Sequence, residues 1–500
     1  MSRGHAGSAR TAEVKFVDAS DHRLHRLFYP RSIAVVGAKQ QGNYSWLRRA
    51  LNFPGPTYNV NIDRDEWPGA SELGVESYPS VSEIPGDVDY VSITVPAPVV
   101  PLVIEDCIRK GVLGAQIFSA GFSETGTEKG IALEEKIVGM AQRAGLMLVG
   151  PNGMGIWNPD TGFGLERRDW EAGHIGFVSQ SGMTAMSFIE EAELNGVPIS
   201  KVVSMGNGRV VDAADYLDYL QHDDQTRVIA LFLEGVGNGR KFFDVLREAV
   251  RKKPVLIWKI GETDDSARAI ASHSGSMRTS QDVYEAMLRQ CGAIKADSAQ
   301  EMIDTSKALI LLPPITGNRL GLYSVSGGRA TQMANTMSKA GFRVPLLSEA
   351  SQAPMESRHS SPLINYNNPI ESTSFNQFED FAAGVLDGLD AAEEVDAIVH
   401  EWSPQLGAPG SDNDVAREAR LDTMTEFAAR AKKPYIVVIA ERHPMPPPEI
   451  VQAVHDRLMA AGIPTFHGLE RAARALQNAH AYGAFLSESA ADDRAPVAGT

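Results

Sequence analysis

Ser32-Ile33-Ala34-Val35-Val36-Gly37 reads as a buried strand that ends in a glycine. Outward from it, short β-branched runs alternate with longer amphipathic segments, the mark of βαβ units and parallel sheets. Asn59-Val60-Asn61-Ile62, Tyr90 to Val95 and Ala115 to Phe118 supply further strands, and Leu146 to Asn152 ends the block. Val99 to Gly111 carries apolar residues at helical spacing and stops at glycine. These elements predict a doubly wound first domain over 23–155, behind a small-residue and charged leader, 1–22, that is expected to be mobile.

The same rhythm returns twice. A second block, 168–310, opens with His174 to Val178, turns at Ser179-Gln180-Ser181-Gly182, and continues through Val202 to Ser204, Val228 to Leu233 and Val255 to Lys259. After the proline joint Leu312-Pro313-Pro314, a third block covers 315–488. There Gly317 to Gly328 again reads as strand then glycine turn, a helix follows from Ala330 to Ala340, and Asp396 to His400 and Tyr435 to Ile439 are further strands. The last residues, 489–500, are Ala-, Ser- and Asp-rich and are expected to be disordered. The fold class is α/β, with no heptad array or short repeat.

A chain of 500 residues is too long for one ordinary core, which agrees with three domains. A hydrophobic fraction of 43% and a charged fraction of 22% belong to a soluble globular protein. The net charge of −16, without a basic patch, argues against a nucleic-acid surface. Cys107 and Cys291, the two cysteines, fall in different blocks, so neither a disulfide framework nor a zinc site is expected, and no metal is assigned to the chain. No apolar leader segment opens the sequence, and runs such as Ala308 to Pro313 are too short to span a bilayer. The expected location is the cytoplasm.

Four features bear chemistry. Gly37-Ala38-Lys39-Gln40-Gln41-Gly42 follows a strand and is expected to open a helix, where backbone N–H groups receive a phosphate; a glycine needed only for the turn gives the same spacing. The motif is neither a P-loop nor a full Gly-x-Gly-x-x-Gly fingerprint. Ser179-Gln180-Ser181-Gly182 precedes a helix from about Thr184 to Glu193 and could form an anion site at its start, or supply no more than an N-cap. His273, in Ala271-Ser272-His273-Ser274-Gly275-Ser276, stands in a hydroxyl-rich turn able to present an imidazole to a phosphoryl group; a surface-loop histidine is the plain alternative. Glu234 follows the strand Val228 to Leu233, at the edge where doubly wound sheets bind ligands, and could orient the His273 imidazole or be a solvated strand-end acid.

Taken in order, these residues resemble the ADP-forming acyl-CoA synthetases and, more distantly, the alpha subunit of succinyl-CoA synthetase. The resemblance covers about 25–485 and includes Leu27 to Ala38, Tyr78-Pro79-Ser80-Val81, Gly150-Pro151-Asn152-Gly153-Met154-Gly155 and Gly176 to Gly182. Gly206-Asn207, Leu233-Glu234-Gly235, Ala267 to Gly275 and Gly317-Asn318-Arg319 complete it. Each piece is modest, but the ordered set is specific.

The resemblance implies a Rossmann-like CoA-binding domain followed by two flavodoxin-like domains. It also implies the reaction acyl-CoA + ADP + phosphate giving acid + CoA + ATP, reversibly. His273 would carry the phosphoryl group, with Glu234 as its orienting partner. Ser179, Gln180, Ser181 and Gly182, with Ser272, Ser274 and Gly275, would bind phosphate. Gly37, Ala38, Lys39, Gln40, Gly42, Val95, Pro96 and Asn152 would bind CoA. No stretch resembles an ATP-grasp domain, so ATP, ADP and Mg2+ are expected at a separate ATP-grasp subunit, in a hetero-oligomer. Two departures stand out. The family usually reads Ser-His-Thr-Gly-Ala-Leu-Ala-Gly where this chain has Ser272 to Thr279, and often carries Cys where Gly153 stands. A second reading is a CoA or acyl-CoA binding protein without catalysis. A dehydrogenase holding NAD is disfavoured, because the glycine loop is incomplete and no clear ribose-binding acid follows, although Asp63 lies near the right spacing.

Overall fold

The computed structural model describes residues 19–164, 171–263, 265–266, 281–324, 326–359, 364–371, 378–404, 413–440 and 447–492. They form three sheets. The first has strands β1 Ile33–Val36, β2 Thr57–Val60, β3 Glu76–Tyr78, β4 Tyr90–Ile93, β5 Gly114–Ile117 and β6 Met147–Val149. Their spatial order is β3-β2-β1-β4-β5-β6, with every neighbouring pair parallel. All residues of β1 are buried, which is why its sequence is apolar without alternation. The chain turns back between β1 and β4, so their carboxyl ends frame the crevice where such a sheet binds ligands.

The second sheet contains β7 Gly155–Trp157, β8 Ile175–Ser179, β9 Ile199–Ser204, β10 Val228–Leu233, β11 Val255–Lys259 and β12 Ile294–Lys295, in the order β12-β11-β10-β8-β9-β7. The third contains β13 Leu320–Ser324, β14 Ile370–Glu371, β15 Ala397–Trp402, β16 Tyr435–Ile439 and β17 Thr465–His467, in the order β14-β13-β15-β16-β17. Setting β7 aside, both follow the flavodoxin order, with switch points between β8 and β10 and between β13 and β15.

Three boundaries differ from the sequence reading. β7 lies antiparallel to β9, so residues from Gly155 extend the second sheet and do not merely close the first domain. Of the predicted leader, residues 1–18 fall outside the described residues, but Ala19–Asp21 is a 3-10 turn and Leu24, Leu27 and Phe28 are fully buried. Phe28 stacks on Tyr219 of the second domain at 4.4 Å, so the segment before β1 is held by apolar burial. At the other end the helix Leu469–Asp492 continues past residue 488, and 493–500 lie outside the described residues.

One hydrophobic cluster runs from Ile33 and Val35 of the first sheet through Val202 and Leu256 of the second to Met459 and Tyr482 of the third domain. Tyr482 also donates its hydroxyl to the Val250 carbonyl at 2.9 Å. The relative placement of the three sheets therefore rests on buried apolar surface. Among the described residues no helix is long and apolar enough to cross a membrane.

Candidate functional site

The first half of the site lies along the carboxyl ends of the first sheet. Gly37 has φ +89°, and a Cβ there would stand 2.7 Å from Val95 Cγ1, so the glycine is required both by conformation and by the close approach of the segment that follows β4. The expected helix does not follow directly. Gln40–Gly42 is a 3-10 turn, Asn43 and Tyr44 are left-handed, and the helix begins only at Ser45–Ala50. Glu66 accounts for this detour: its carboxylate accepts the Gln40 N–H at 2.8 Å and the Tyr44 hydroxyl at 2.9 Å. Gly37 is half-buried and Ala38 buried, while Lys39, Gln40 and Gly42 are exposed around the mouth of the crevice.

Across the crevice, Val95 is half-buried and Pro96 exposed. Ser119 donates its hydroxyl to the Val95 carbonyl, and Asn152 donates its N–H to the Ser119 carbonyl at 3.2 Å. The ends of β4, β5 and β6 are thus joined in a line, and the structure brings Gly37, Val95 and Asn152 to one edge. Asp63 is spent elsewhere, as its carboxylate caps the turn Arg64–Glu66 through the Asp65 N–H at 3.1 Å.

The second half of the site is the start of the helix Gly182–Leu194, after β8. Ser179 is fully buried; its hydroxyl donates to the Ser181 carbonyl at 2.7 Å and accepts the Ser181 N–H at 3.1 Å. Its oxygen therefore shapes the turn from within. Ser181 is the N-cap, accepting the Thr184 N–H at 3.3 Å. Among the described residues, no acceptor meets the N–H groups of Gly182 and Met183. Unpaired N–H groups and the positive end of the dipole favour an anion there, by about 0.3–1 kcal/mol for the dipole alone.

Gln180 reaches the end of β10. Its side-chain oxygen accepts the N–H of Glu234 at 2.5 Å and of Gly235 at 3.0 Å. Glu234, 9% exposed, is thereby fixed beside the turn, at the end of β10 as the sequence suggests. Lys259, at the end of β11, pairs across with Leu233; burial pushes its ammonium below the usual lysine range, against the pull of Glu262. His273, Ser272, Ser274 and Gly275 lie outside the described residues. The chain entering and leaving that stretch is tied together. Gln281 donates to Glu262 at 3.0 Å and to Glu285 at 2.9 Å, and Lys295 reaches both carboxylates at 3.2 Å.

The two halves meet at Met154. Its N–H donates to Ser204 Oγ at 3.0 Å, and Ser204 is paired with Ser179 across β8 and β9. Its side chain lies against Gly182, where a Cβ would stand 2.8 Å from Met154 Cγ and Sδ. The loop that closes the first crevice therefore touches the first residue of the helix in the second.

A further polar cluster is not among the sites read from the sequence. Tyr323-Ser324-Val325-Ser326-Gly327, leading into the helix Gly327–Lys339, repeats the spacing of Val178-Ser179-Gln180-Ser181-Gly182. At its base the fully buried Glu401 accepts the Ser324 hydroxyl at 2.8 Å and Arg329 Nε at 3.0 Å. The repeated Ser-x-Ser-Gly is the signal that could have marked it. Among the described residues no group of three or more His, Cys, Asp or Glu side chains could hold a metal ion.

Comparison with known proteins agrees with this layout. Residues 31–159 match the CoA binding domain family, and residues 172–309 match the succinyl-CoA ligase like flavodoxin domain. The acetate–CoA ligase [ADP-forming] I subunit alpha of Pyrococcus furiosus is 31% identical over 91% of this chain and 96% of its own length. The acetate–CoA ligase [ADP-forming] I of Archaeoglobus fulgidus is 38% identical over 76% of this chain. This chain spans only about half the length of that longer relative, 55%. Among solved structures, the dinucleotide forming acetyl-coenzyme A synthetase 1 of Ca. Korarchaeum cryptofilum, in complex with phosphate and ADP, superimposes with a TM-score of 0.80. The identity is 30%, over 93% of this chain and 98% of that one.

Proposed function

The chain belongs to the family of ADP-forming acyl-CoA synthetases, and from that premise we propose that it is the CoA-binding, phosphohistidine-carrying subunit of such an enzyme. It would work in the cytoplasm with a separate ATP-grasp subunit, which holds ADP or ATP and Mg2+. The observation that carries this reading is the contact of Met154 with both Ser204 and the start of the Gly182–Leu194 helix. A thioester entering along the Gly37, Val95 and Asn152 edge would be led to the N–H groups of Gly182 and Met183.

The chemistry follows from those placements. Phosphate held at the helix start attacks the thioester carbonyl; the C–S bond breaks, giving an acyl phosphate and a thiolate that takes a proton. An imidazole nitrogen of His273 then attacks phosphorus, the bond to the acyl oxygen breaks, and the carboxylate leaves. ADP collects the phosphoryl group from phosphohistidine at the partner. Glu234 holds the second imidazole nitrogen, keeping the attacking one free of its proton. The relay lets the CoA crevice and the nucleotide site lie apart. The acid is a carboxylate of the kind that names the relatives, acetate in both ligases named above.

The test is labelling. Chain, ATP, Mg2+ and the ATP-grasp subunit should give acid-labile phosphate on this chain, released by CoA with acetate. The label should vanish in His273→Ala. Full labelling of that variant sinks the assignment, and CoA binding without any labelling favours a non-catalytic CoA-binding protein.

A further inference from the structure

Asn207 lies just beyond β9, in the second domain, yet its side chain is bonded wholly to the first. Its amide nitrogen donates to Glu124 Oε2 at 2.8 Å and to Glu134 Oε2 at 2.6 Å, with Ser123 Oγ at 3.3 Å. Two amide hydrogens thus meet two carboxylates. Both acids are withdrawn from water, Glu124 at 9% and Glu134 at 1% exposure, so these bonds are charge-assisted in a poorly screened place. Arg209 adds a third donor to Glu134, at 2.9 Å.

Each end of this clamp reaches the CoA crevice. The other oxygen of Glu124 accepts the N–H groups of Gly121 and Phe122 at 2.6 and 3.0 Å, fixing the loop after β5. That loop carries Ser119, the residue joined to both Val95 and Asn152. The backbone N–H of Asn207 donates to the Pro151 carbonyl at 2.9 Å, next to Asn152. Gly206 beside it has φ +54°, and a Cβ there would fall 2.2 Å from the Pro151 carbonyl oxygen, so the second domain is pressed against the crevice loop without a side chain between.

We infer that Asn207 is a positioning residue for CoA: its carboxamide, clamped between Glu124 and Glu134, lets the phosphate-binding domain set the two loops that line the CoA crevice. The inference rests on the CoA-binding reading above and adds a residue from the other domain to that site. Asn207→Asp replaces the donor with a third carboxylate among two. Glu124→Gln added to it restores one donor–acceptor contact with its direction reversed, while the side-chain oxygen kept at position 124 still serves Gly121 and Phe122.

The experiment is calorimetric titration of the full chain with CoA, alongside thermal unfolding of each variant. Asn207→Asp should weaken CoA by about tenfold or more, the factor that one lost charge-assisted hydrogen bond carries. The double variant should recover at least about threefold of it, as coupled partners do. Asn207→Asp binding CoA as the wild type does overturns the inference. So does a double variant that regains thermal stability while its CoA affinity stays low, the behaviour of mere structural glue. Should Asn207→Asp not fold, Glu124→Gln alone sets one amide donor against another and must weaken CoA in the same direction. A wild-type chain that binds no CoA overturns the functional reading itself, and is told apart by appearing before any substitution.

Discussion

The side-chain oxygen of Gln180 accepts the N–H of Glu234 at 2.5 Å, tying the turn after β8 to the end of β10. Gln180 is thus a spacer between the start of the Gly182–Leu194 helix, proposed to bind phosphate, and the acid proposed to orient His273. Gln180→Ala strands the N–H groups of Glu234 and Gly235 in a half-buried place, at a cost of about 1–3 kcal/mol. Phosphoryl labelling of His273 should fall about tenfold or more, the rate equivalent of that cost, while CoA affinity stays unchanged. Gln180→Glu keeps the acceptor and should recover most of the stability. Equal labelling in Gln180→Ala and wild type removes the role.

Gly153 stands where relatives of this family often carry cysteine, and the reason this chain cannot is spatial. A Cβ there would lie 2.7 Å from the Ser204 carbonyl oxygen and 3.1 Å from the Gly206 nitrogen. Both are backbone atoms of the segment that carries Asn207, so neither can rotate aside. Gly153→Cys should lower stability by about 1–3 kcal/mol through overpacking. The urea midpoint reads the loss, and CoA affinity should fall with it, because the displaced segment also sets the crevice loop. An unchanged midpoint means β9 has room to withdraw.

What the sequence discloses depends on how far its signals reach. β1 is legible because four buried residues in a row admit little else, and the Gly182–Leu194 helix because a serine cap and a glycine announce it. The strands β3, β7, β12, β14 and β17 have two or three residues each, too few to show any period. They exist because a neighbouring strand offers hydrogen bonds, as β9 does for β7. The Gly37 loop reads correctly as a glycine turn and wrongly as the immediate start of a helix, since Glu66, which holds the detour, is 26 residues away. Asn207 is visible in the sequence as part of a motif. Its purpose is not, because Glu124 and Glu134 lie 83 and 73 positions before it.

Lys295 joins the two stems of the stretch that carries His273. It lies 3.2 Å from Glu262 on one side and 3.2 Å from Glu285 on the other, with Asp297 at 3.7 Å. Partial burial alone would lower its pKa; its bonds to Glu285 and Glu262 outweigh that and hold the ammonium above the usual lysine range. Among the described residues, Lys295→Met removes the cation that bridges Glu262 and Glu285, leaving Glu285 only the Arg289 guanidinium as a cation, at 3.7 Å. The groups are about one-third exposed, so the stability lost should be no more than about 1 kcal/mol. On the proposed function the functional loss should be larger, since the two stems flank His273 in the sequence. Labelling of His273 should slow in Lys295→Met, and high salt should slow the wild type in the same direction by screening. Loss of stability with unaltered labelling would confine Lys295 to structure.

A buried cluster at the junction of the second and third domains makes the fold sensitive to acid, as does the buried His400, whose imidazole burial holds down to about 3. Lys307, fully buried, donates to the Thr465 carbonyl at 2.8 Å and lies 3.4 Å from His455 Nε2, with Asp304 at 3.7 Å. His455 and His467 stack at 5.4 Å, and Arg471 bonds Asp304 at 2.7 Å. Burial, with Lys307 and Arg471 nearby, holds both imidazoles down to about 4, against the opposing pull of Asp456 on His455 and Asp304 on His467. Burial likewise brings Lys307 down to about 8, still charged at neutral pH. The sign is therefore fixed. Between pH 6.5 and 4 the unfolded chain takes up protons that the folded chain refuses, so stability falls as pH falls, and the share of the loss due to His455 and His467 is complete below about 4. Each histidine contributes at most about 3 kcal/mol to this loss. Urea midpoints recorded across that window should show the decline, and His467→Gln should flatten it. A midpoint that holds steady from pH 6.5 to 4 would mean that the junction opens and hydrates before either ring must accept a proton.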